Sequence, residues 1–492
     1  MDKTPFVTGG FLGYLSAGFR DCAEPALSDR QDIKSLCLVA FLTASAGLSG
    51  GCTHSAITPE ASEIGMPEAW ARGGDEGSVD INWLEGFDDP FLTGLVIEAI
   101  DNNYLLEQER ARLYGAEQAV VVVRANRFPE LDVSLDASRR GARDTSGQRI
   151  ATESYGAEVG AFWEIDLWGR LSKEQQAAQL ALGAQRARYE SVERNLAAAT
   201  AAAYYRAMEA KQLLEVAKRR LDNVIESHDI VASGYRQGLN DALDLYLARN
   251  QVERERANYA QQEQTVSETI ADLQLSLARY PDGRMEIPGT LPLLTNPIPA
   301  GLPSELLARR TDLQEAWLNL LAADADLAAA HKERFPSLSL VGSAGVASAE
   351  FADLLDTDLS VWSIAGNATQ PLFNAGRLEA FEEQARARVR QAEQQYLDLT
   401  FKAFADVENA ISRSVSLRER YASFLDAETN SRAALELALE QYQRGLVPYV
   451  TVLESQRQAF DAEATVVELR NLLLQNRIAL YLALGGEFVT EY

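Results

Sequence analysis

Residues suited to chemistry are scarce in this 492-residue sequence, and their spacing works against catalysis. His54, His228 and His331 are the only histidines, and they are dispersed. Cys22, Cys37 and Cys52 are the only cysteines, and all lie near the start. A structural zinc site needs four converging Cys or His ligands, and no Cys/His cluster here can supply them. No phosphate-cradling glycine loop occurs either. Neither a metal, a cofactor nor an enzymatic reaction is therefore expected. The formal charge of −26 argues against a nucleic-acid partner, whose phosphates demand a basic footprint. It fits a solvated acidic surface or a water-filled lumen.

No cysteine follows Cys52, so a disulfide framework is absent. Lys34 precedes the apolar run Leu36 to Leu48, which ends in small residues and Cys52. That is the pattern of a secretory signal, too short to span a bilayer as a helix. Ser49-Gly50-Gly51-Cys52 resembles a bacterial lipobox, whose cysteine becomes the lipidated first residue of the mature protein. Such boxes usually place leucine where Ser49 stands; here the leucine is Leu48. Residues 1–51 are read as signal peptide plus an upstream extension, Met1 to Ile33 being too long and acidic for an ordinary leader. Beyond it no stretch of about 18 uninterrupted apolar residues occurs; Leu472 to Leu484 is broken by Gln475, Asn476 and Arg477. An exported chain of this kind is periplasmic or a β-barrel.

The elements that must position everything else are written twice. Arg127-Phe128-Pro129 returns as Arg334-Phe335-Pro336, Gly169-Arg170-Leu171 as Gly376-Arg377-Leu378, and Tyr235, Gly238 and Leu239 as Tyr442, Gly445 and Leu446. Each pair is 207 residues apart, so the chain is a tandem duplication. Each copy opens with a helical stretch, Phe91 to Asn126 and Ser304 to Glu333, ended by a Phe-Pro dipeptide. Two strands follow. Leu131, Val133, Leu135 and Ala137 alternate with polar neighbours, as do Tyr155, Ala157, Val159, Ala161, Trp163 and Ile165, Phe162 excepted. Arg139 to Glu153 between them reads as an exposed loop. Strands near Ser337 to Ala347 and Asp358 to Gln370 rest on the repeat.

After Gly169-Arg170 the period changes. Tyr189, Val192, Leu196, Ala199, Ala203, Ala207, Ala210, Leu214, Ala217, Leu221, Val224, His228 and Val231 fall every three or four residues, a coiled-coil seam. A helix from Leu171 to Gly234 would run roughly 96 Å. The seam after Arg377 holds from Tyr396 to Phe424 and fails at Glu428 and Ser431, so the copies need not pack alike. Each long helix turns at Tyr235–Gly238 or Tyr442–Gly445, and a second helix returns.

Four strands cannot close a barrel, and lipid forbids an open edge. Three copies supply twelve, above the minimum of about eight for a bacterial barrel. Trp163, Trp168, Phe335, Trp362 and Phe373 lie on or just beyond the strands, as an interfacial girdle requires.

Trp163-Glu164-Ile165-Asp166-Leu167-Trp168-Gly169-Arg170, Gln370-Pro371-Leu372-Phe373-Asn374-Ala375-Gly376-Arg377, the hairpins beginning at Tyr235 and Tyr442, and Asp88-Asp89-Pro90-Phe91-Leu92 carry a resemblance. From about Cys52 to Gly485 the chain resembles the TolC-like outer-membrane factor family, most closely its lipoprotein branch serving tripartite efflux pumps. The resemblance implies a mainly α fold with a β-barrel part: a homotrimer with a 12-stranded barrel in outer-membrane lipid, continued by a long α-helical coiled-coil barrel in the periplasm. It implies an equatorial belt from residues 52–90, 281–303 and the tail 485–492, with repeats at 91–280 and 304–484. The implied partners are a periplasmic adaptor (membrane fusion) protein and an inner-membrane transporter of RND type, with drugs or other small molecules as cargo. Asp244 and Glu454 lie where the family places acids facing a periplasmic gate, and Asp241 adds to them; Thr451 stands where some members carry another acid. Tyr235, Arg236, Tyr442 and Arg444 are the candidate links holding the tip shut. A secretion duct for polypeptides and a non-channel periplasmic coiled-coil scaffold are the alternatives.

Cys52→Ala should abolish incorporation of radioactive fatty acid into the protein. Persistent labelling, or none in the wild type, would reject the lipobox reading.

Overall fold

The computed structural model describes residues 67, 69–71, 83–143, 145–239, 241–294, 298–301, 303–355 and 360–486; Cys52 and the signal segment lie outside them. The elements run α1 (Pro90–Asn102), α2 (Tyr104–Ala125), β1 (Glu130–Arg143), β2 (Arg149–Ile165), α3 (Arg170–Arg236) and α4 (Ala242–Ser276). A single helical turn, Leu306–Arg309, then leads to α5 (Thr311–Lys332), β3 (Ser337–Ser348), β4 (Ser360–Thr369), α6 (Arg377–Gln443) and α7 (Tyr449–Ala483). The bounds of α2, α3 and α4 recur in α5, α6 and α7 at the same shift of 207. Side-chain bonds recur with them. Trp163 Nε1 donates to the Arg127 carbonyl at 3.0 Å, and Gln370 Nε2, its counterpart, donates to that of Arg334 at 3.1 Å. Arg127 bonds Gln175 and Arg334 bonds Glu382 in the same way.

The four strands form one antiparallel sheet in the order β1-β2-β3-β4. Its first hairpin is longer than the sequence suggests. Arg139 to Glu153, expected as a loop, is mostly paired strand, with Arg139 opposite Glu153 and Arg143 opposite Arg149. Polarity misled there: the ladder bonds backbone to backbone and does not require apolar side chains.

Helix breaks depart from expectation too. The stretch from Phe91 to Asn126 is interrupted at Asn103, whose extended backbone lets its side chain accept the Leu105 N–H at 2.9 Å. The second stretch breaks likewise at Arg310. Both breaks are joints between stacked helices. Asn103 Nδ2 donates to the Ser276 carbonyl that ends α4, and Arg310 Nη1 reaches the Ala483 carbonyl that ends α7. Thus α2 continues the line of α4, and α5 that of α7. The uninterrupted α3 and α6, 67 residues each and about 100 Å long, run beside them.

The main core surrounds the middle of α3. Leu196, Ala197, Ala198, Thr200, Ala201, Ala203, Tyr204, Tyr205, Ala207, Met208 and Ala210 are all buried, whereas the expected seam position Ala199 is exposed. A single seam describes a helix with one partner; here α1, α2, α4, α5 and α7 all pack against α3, and alanine permits close approach all round. Trp83, Phe87, Ile287 and Leu291 join this core from the flanking segments. Asp89 ties it to α1: one carboxylate oxygen caps the Phe91 and Leu92 N–H groups, and the other accepts the Tyr204 hydroxyl at 3.0 Å. In α6 burial thins out between Leu417 and Leu435, where the seam failed.

Glu209 on α3 accepts Asn471 Nδ2 of α7 at 2.7 Å. Burial, then the nearby Glu468 carboxylate, pushes its acid from 4.5 up to about 7. A raised carboxyl pKa means the folded state holds a proton that the unfolded chain has released, so stability falls as pH rises from about 4.5 to 7. Glu209→Gln should flatten that fall in thermal unfolding scans between pH 4.5 and 7.5.

Candidate functional site

The end of the molecule remote from the sheet is built where α3 turns into α4 and α6 into α7. Gly238 and Gly445 make the two turns with φ of 76° and 71°. This left-handed geometry costs glycine nothing and lets the Leu239 and Leu446 N–H groups cap the carbonyls of Gly234 and Gln441 at 2.9 Å each. Asp241 starts α4 as its N-cap, accepting the Leu243 N–H, while Pro448 takes the equivalent place before α7. Val231, Leu245, Ala248, Ala438, Tyr449 and Val452, drawn from all four helices, form the buried core of this tip.

The structure gathers some of the expected residues and separates others. Asp244 is half-buried, and burial, then the Asp241 charge, raises its acid. Tyr442 packs its ring 5.4 Å from that of Tyr449. Burial raises the acids of both phenols, and the Asp244 charge adds to each shift, so Asp244, Tyr442 and Tyr449 share one neighbourhood. Glu454 is elsewhere on the surface of α7, held below the usual carboxylate range by Arg457 and then by Gln458. Thr451 is exposed. Arg444 bonds Glu440 one turn back on its own helix instead of bridging helices. Tyr235 and Arg236 are exposed.

Tyr449 was missed from sequence. It is 1% exposed, and its hydroxyl, like that of Tyr442, has no hydrogen-bond partner among the described residues. Its counterpart in the first copy is Ala242, so the repeat offered no hint; an aromatic directly after a turn-ending proline was the available signal. Above the tip, Gln456 Nε2 donates to Asn223 and Ser227, and Arg220 pairs with Glu255 and Asp461. These bonds tie α3 to α4 and α7.

The sheet at the other end is two-faced. The register aligns Leu131, Val133 and Leu135 with Ala161, Val159 and Ala157, and these with Gly342, Ala344 and Val346, then Ile364 and Trp362. The opposite face carries Asp132, Asp136, Glu158, Ser343 and Ser363, with the Asp132 and Asp136 carboxylates lying over Gly160 and Gly156. Leu135 is 80% exposed and Trp362 76%. At the base of the sheet, Trp168 stacks on Phe335 and donates to the Pro336 carbonyl at 2.7 Å. Among the described residues no helix is long and apolar enough to cross a membrane.

A model of the family described as outer membrane efflux protein matches the chain twice, over residues 95–279 and 302–486. These segments are again 207 residues apart. The pyoverdine export outer membrane protein OpmQ of Pseudomonas putida is 30% identical over 448 residues, covering 88% of this chain and 94% of its own. The cation efflux system protein CusC of Escherichia coli is 29% identical over 411 residues, 82% of this chain and 88% of its own. The solved open state of the outer membrane channel MtrE of Neisseria gonorrhoeae aligns with a TM-score of 0.78 at 27% identity, covering 87% of this chain and 98% of that one.

Removing the Tyr449 hydroxyl alone should cost nothing, because a buried donor without a partner is a liability. Tyr449→Phe is expected to leave thermal stability unchanged or to raise it by about 1 kcal/mol. Tyr449→Ala should lower it by roughly 3 kcal/mol or more through the cavity it leaves. Calorimetry on the purified protein checks both.

Proposed function

The chain belongs to the outer membrane efflux protein family, and on that premise we propose that it is the outer-membrane channel of a tripartite efflux system, exporting drugs or other small molecules. One observation carries the reading. The sheet ends in two unpaired edges, β1 and β4, with an apolar face continuous across all four strands and a polar face behind it. Such a sheet is stable in lipid only when closed, and three copies close it with twelve strands around a polar lumen. A coiled-coil scaffold has no use for that face. The long helices extend the lumen through the periplasm, where the tip meets an adaptor protein and, through it, an inner-membrane transporter of RND type. Lipid on Cys52 adds a second anchor. Relatives named for pyoverdine, cation and solvent export support a duct whose cargo is chosen by the pump beneath it.

The gate is the tip. Around a threefold axis Asp244 becomes a ring of three carboxylates, which repel one another and draw cations inward. Its partial burial strengthens that field. Glu454, offset by Arg457 on its own helix, forms a weaker second ring. Tyr235, Arg236 and Arg444, exposed on the turns, bond neighbouring hairpins when the tip is shut, whereas Tyr442, its hydroxyl buried, contributes by packing on Tyr449.

Detergent-purified protein should scatter light as three copies and conduct in planar bilayers. Asp244→Ala with Glu454→Ala should weaken divalent-cation block while leaving the trimer intact. Raised salt should weaken the wild-type block, since screening shortens the reach of the rings to about 8 Å near physiological ionic strength. A stable monomer would sink the channel; full block in a trimeric double mutant would sink the gate assignment alone.

A further inference from the structure

The far end of the first hairpin is chemically at odds with the rest of the chain. Residues 139–149 hold four arginines against one aspartate, in a protein of net charge −26. The register puts three of these arginines on a single face. Residues of β1 at odd positions share the apolar face of Leu131, Val133, Leu135 and Ala137, so Arg139 and Arg143 continue that face. Arg149 lies directly opposite Arg143, and Glu153 opposite Arg139. Arg139 and Glu153 pair at 3.3 Å, and Glu153 also accepts the Tyr155 hydroxyl at 3.2 Å. Arg143 and Arg149 are thus a like-charge cross-strand pair on an exposed strand end. Such pairs are destabilising unless an anion lies between them.

Length fixes where this pair stands. A strand needs about 9–11 residues to cross the hydrocarbon, so β1, entering at Glu130, leaves it near Ser138 to Arg140. It then continues to Arg143. The aromatic contact of Tyr155 with Phe351, rings 5.6 Å apart, marks the interface just below. The helices leave the sheet at the opposite end, on the periplasmic side in the proposed orientation, so the arginines emerge among the outer-leaflet headgroups. The second copy has no such feature: Glu350 stands where the first has Arg143, and Val346 where it has Arg139.

We propose that Arg143 and Arg149, flanked by Arg139, form a binding site for the phosphate-bearing headgroup of an outer-leaflet lipid, whose acyl chains lie along the apolar face below. Guanidinium forks suit phosphate oxygens, and a phosphate bridging the pair converts their repulsion into attraction. Three copies per assembly would surround the barrel with three such sites.

The inference rests on the channel reading, and its test separates the two. Purified trimer, shown first to conduct, is titrated with lipid A carrying two phosphates and with the same lipid A dephosphorylated. Wild type should bind the phosphorylated form tighter by roughly tenfold or more, with the preference shrinking as salt rises. Arg143→Gln with Arg149→Gln should remove most of that preference while conductance persists, and the double lysine variant should keep part of it. Equal binding of the two lipids by wild type overturns the site, as does a preference undiminished in a conducting glutamine variant. Full displacement by millimolar inorganic phosphate overturns the lipid assignment. Should the glutamine variant not assemble, the comparison of the two lipids on wild type decides alone. A wild type that neither trimerises nor conducts instead refutes the channel.

Discussion

In hydrocarbon, a backbone N–H or C=O without a partner has no water to fall back on, and β1 and β4 each present a row of them. The remaining architecture follows from that constraint. One copy of the module has two strands, one chain has four, and neither number closes. Duplication alone does not solve the edge problem, and assembly must complete it. The apolar face running unbroken from β1 to β4 is the one that meets lipid once the edges are paired, and residues as large as Leu135 and Trp362 stand exposed on it because lipid, not protein, covers them.

The duplication also shows which interactions the fold holds constant and which it releases. The bond from strand to carbonyl at Arg127 and Arg334 survives a change from indole to amide donor, because either group can reach the same carbonyl. The glycine turns survive because few other residues accept their φ. The helix starts diverge. Asp166 caps α3 by accepting the Leu171 and Ser172 N–H groups, whereas its counterpart Phe373 has no acceptor to offer. Asp241 caps α4 and Pro448 merely starts α7. Caps are local and replaceable; turn geometry is not.

Much of this was legible in advance because repeats and periodicity report backbone geometry directly. The 207-residue shift set the helix bounds, and the period of two in Leu131 to Ala137 identified a two-faced strand. What stayed hidden depends on partners distant in sequence. Asn103 reads as one polar residue in a helical stretch until the Ser276 carbonyl is placed beside it. Ala199 fits a seam until α3 is seen to have neighbours on several sides. Arg139 to Glu153 looks like a loop because polarity was taken for irregularity. At the tip, Asp241 and Asp244 were visible as acids, but the burial of Tyr449 against Tyr442 emerges only when the two hairpins meet.

The joints at Asn103 and Arg310 give the shaft an uneven stiffness. Both fall at equivalent places in the two copies, so α2 meets α4 and α5 meets α7 at one height. The continuous α3 and α6 transmit axial load through their own ladders of backbone hydrogen bonds. The jointed lines lack that ladder at the break. They are held there by a side-chain bond to a terminal carbonyl and by packing, Leu106 with Leu273 and Leu277 at one joint and Leu313 with Leu480 and Leu484 at the other. A torque applied to the tip therefore has an unbroken hydrogen-bonded path only along α3 and α6, and passes from α4 and α7 to the helices above them through packed side chains. Twist or splay of the lower segment thus bears first on the core around the two joints, as the jaws of a collet bear on its collar.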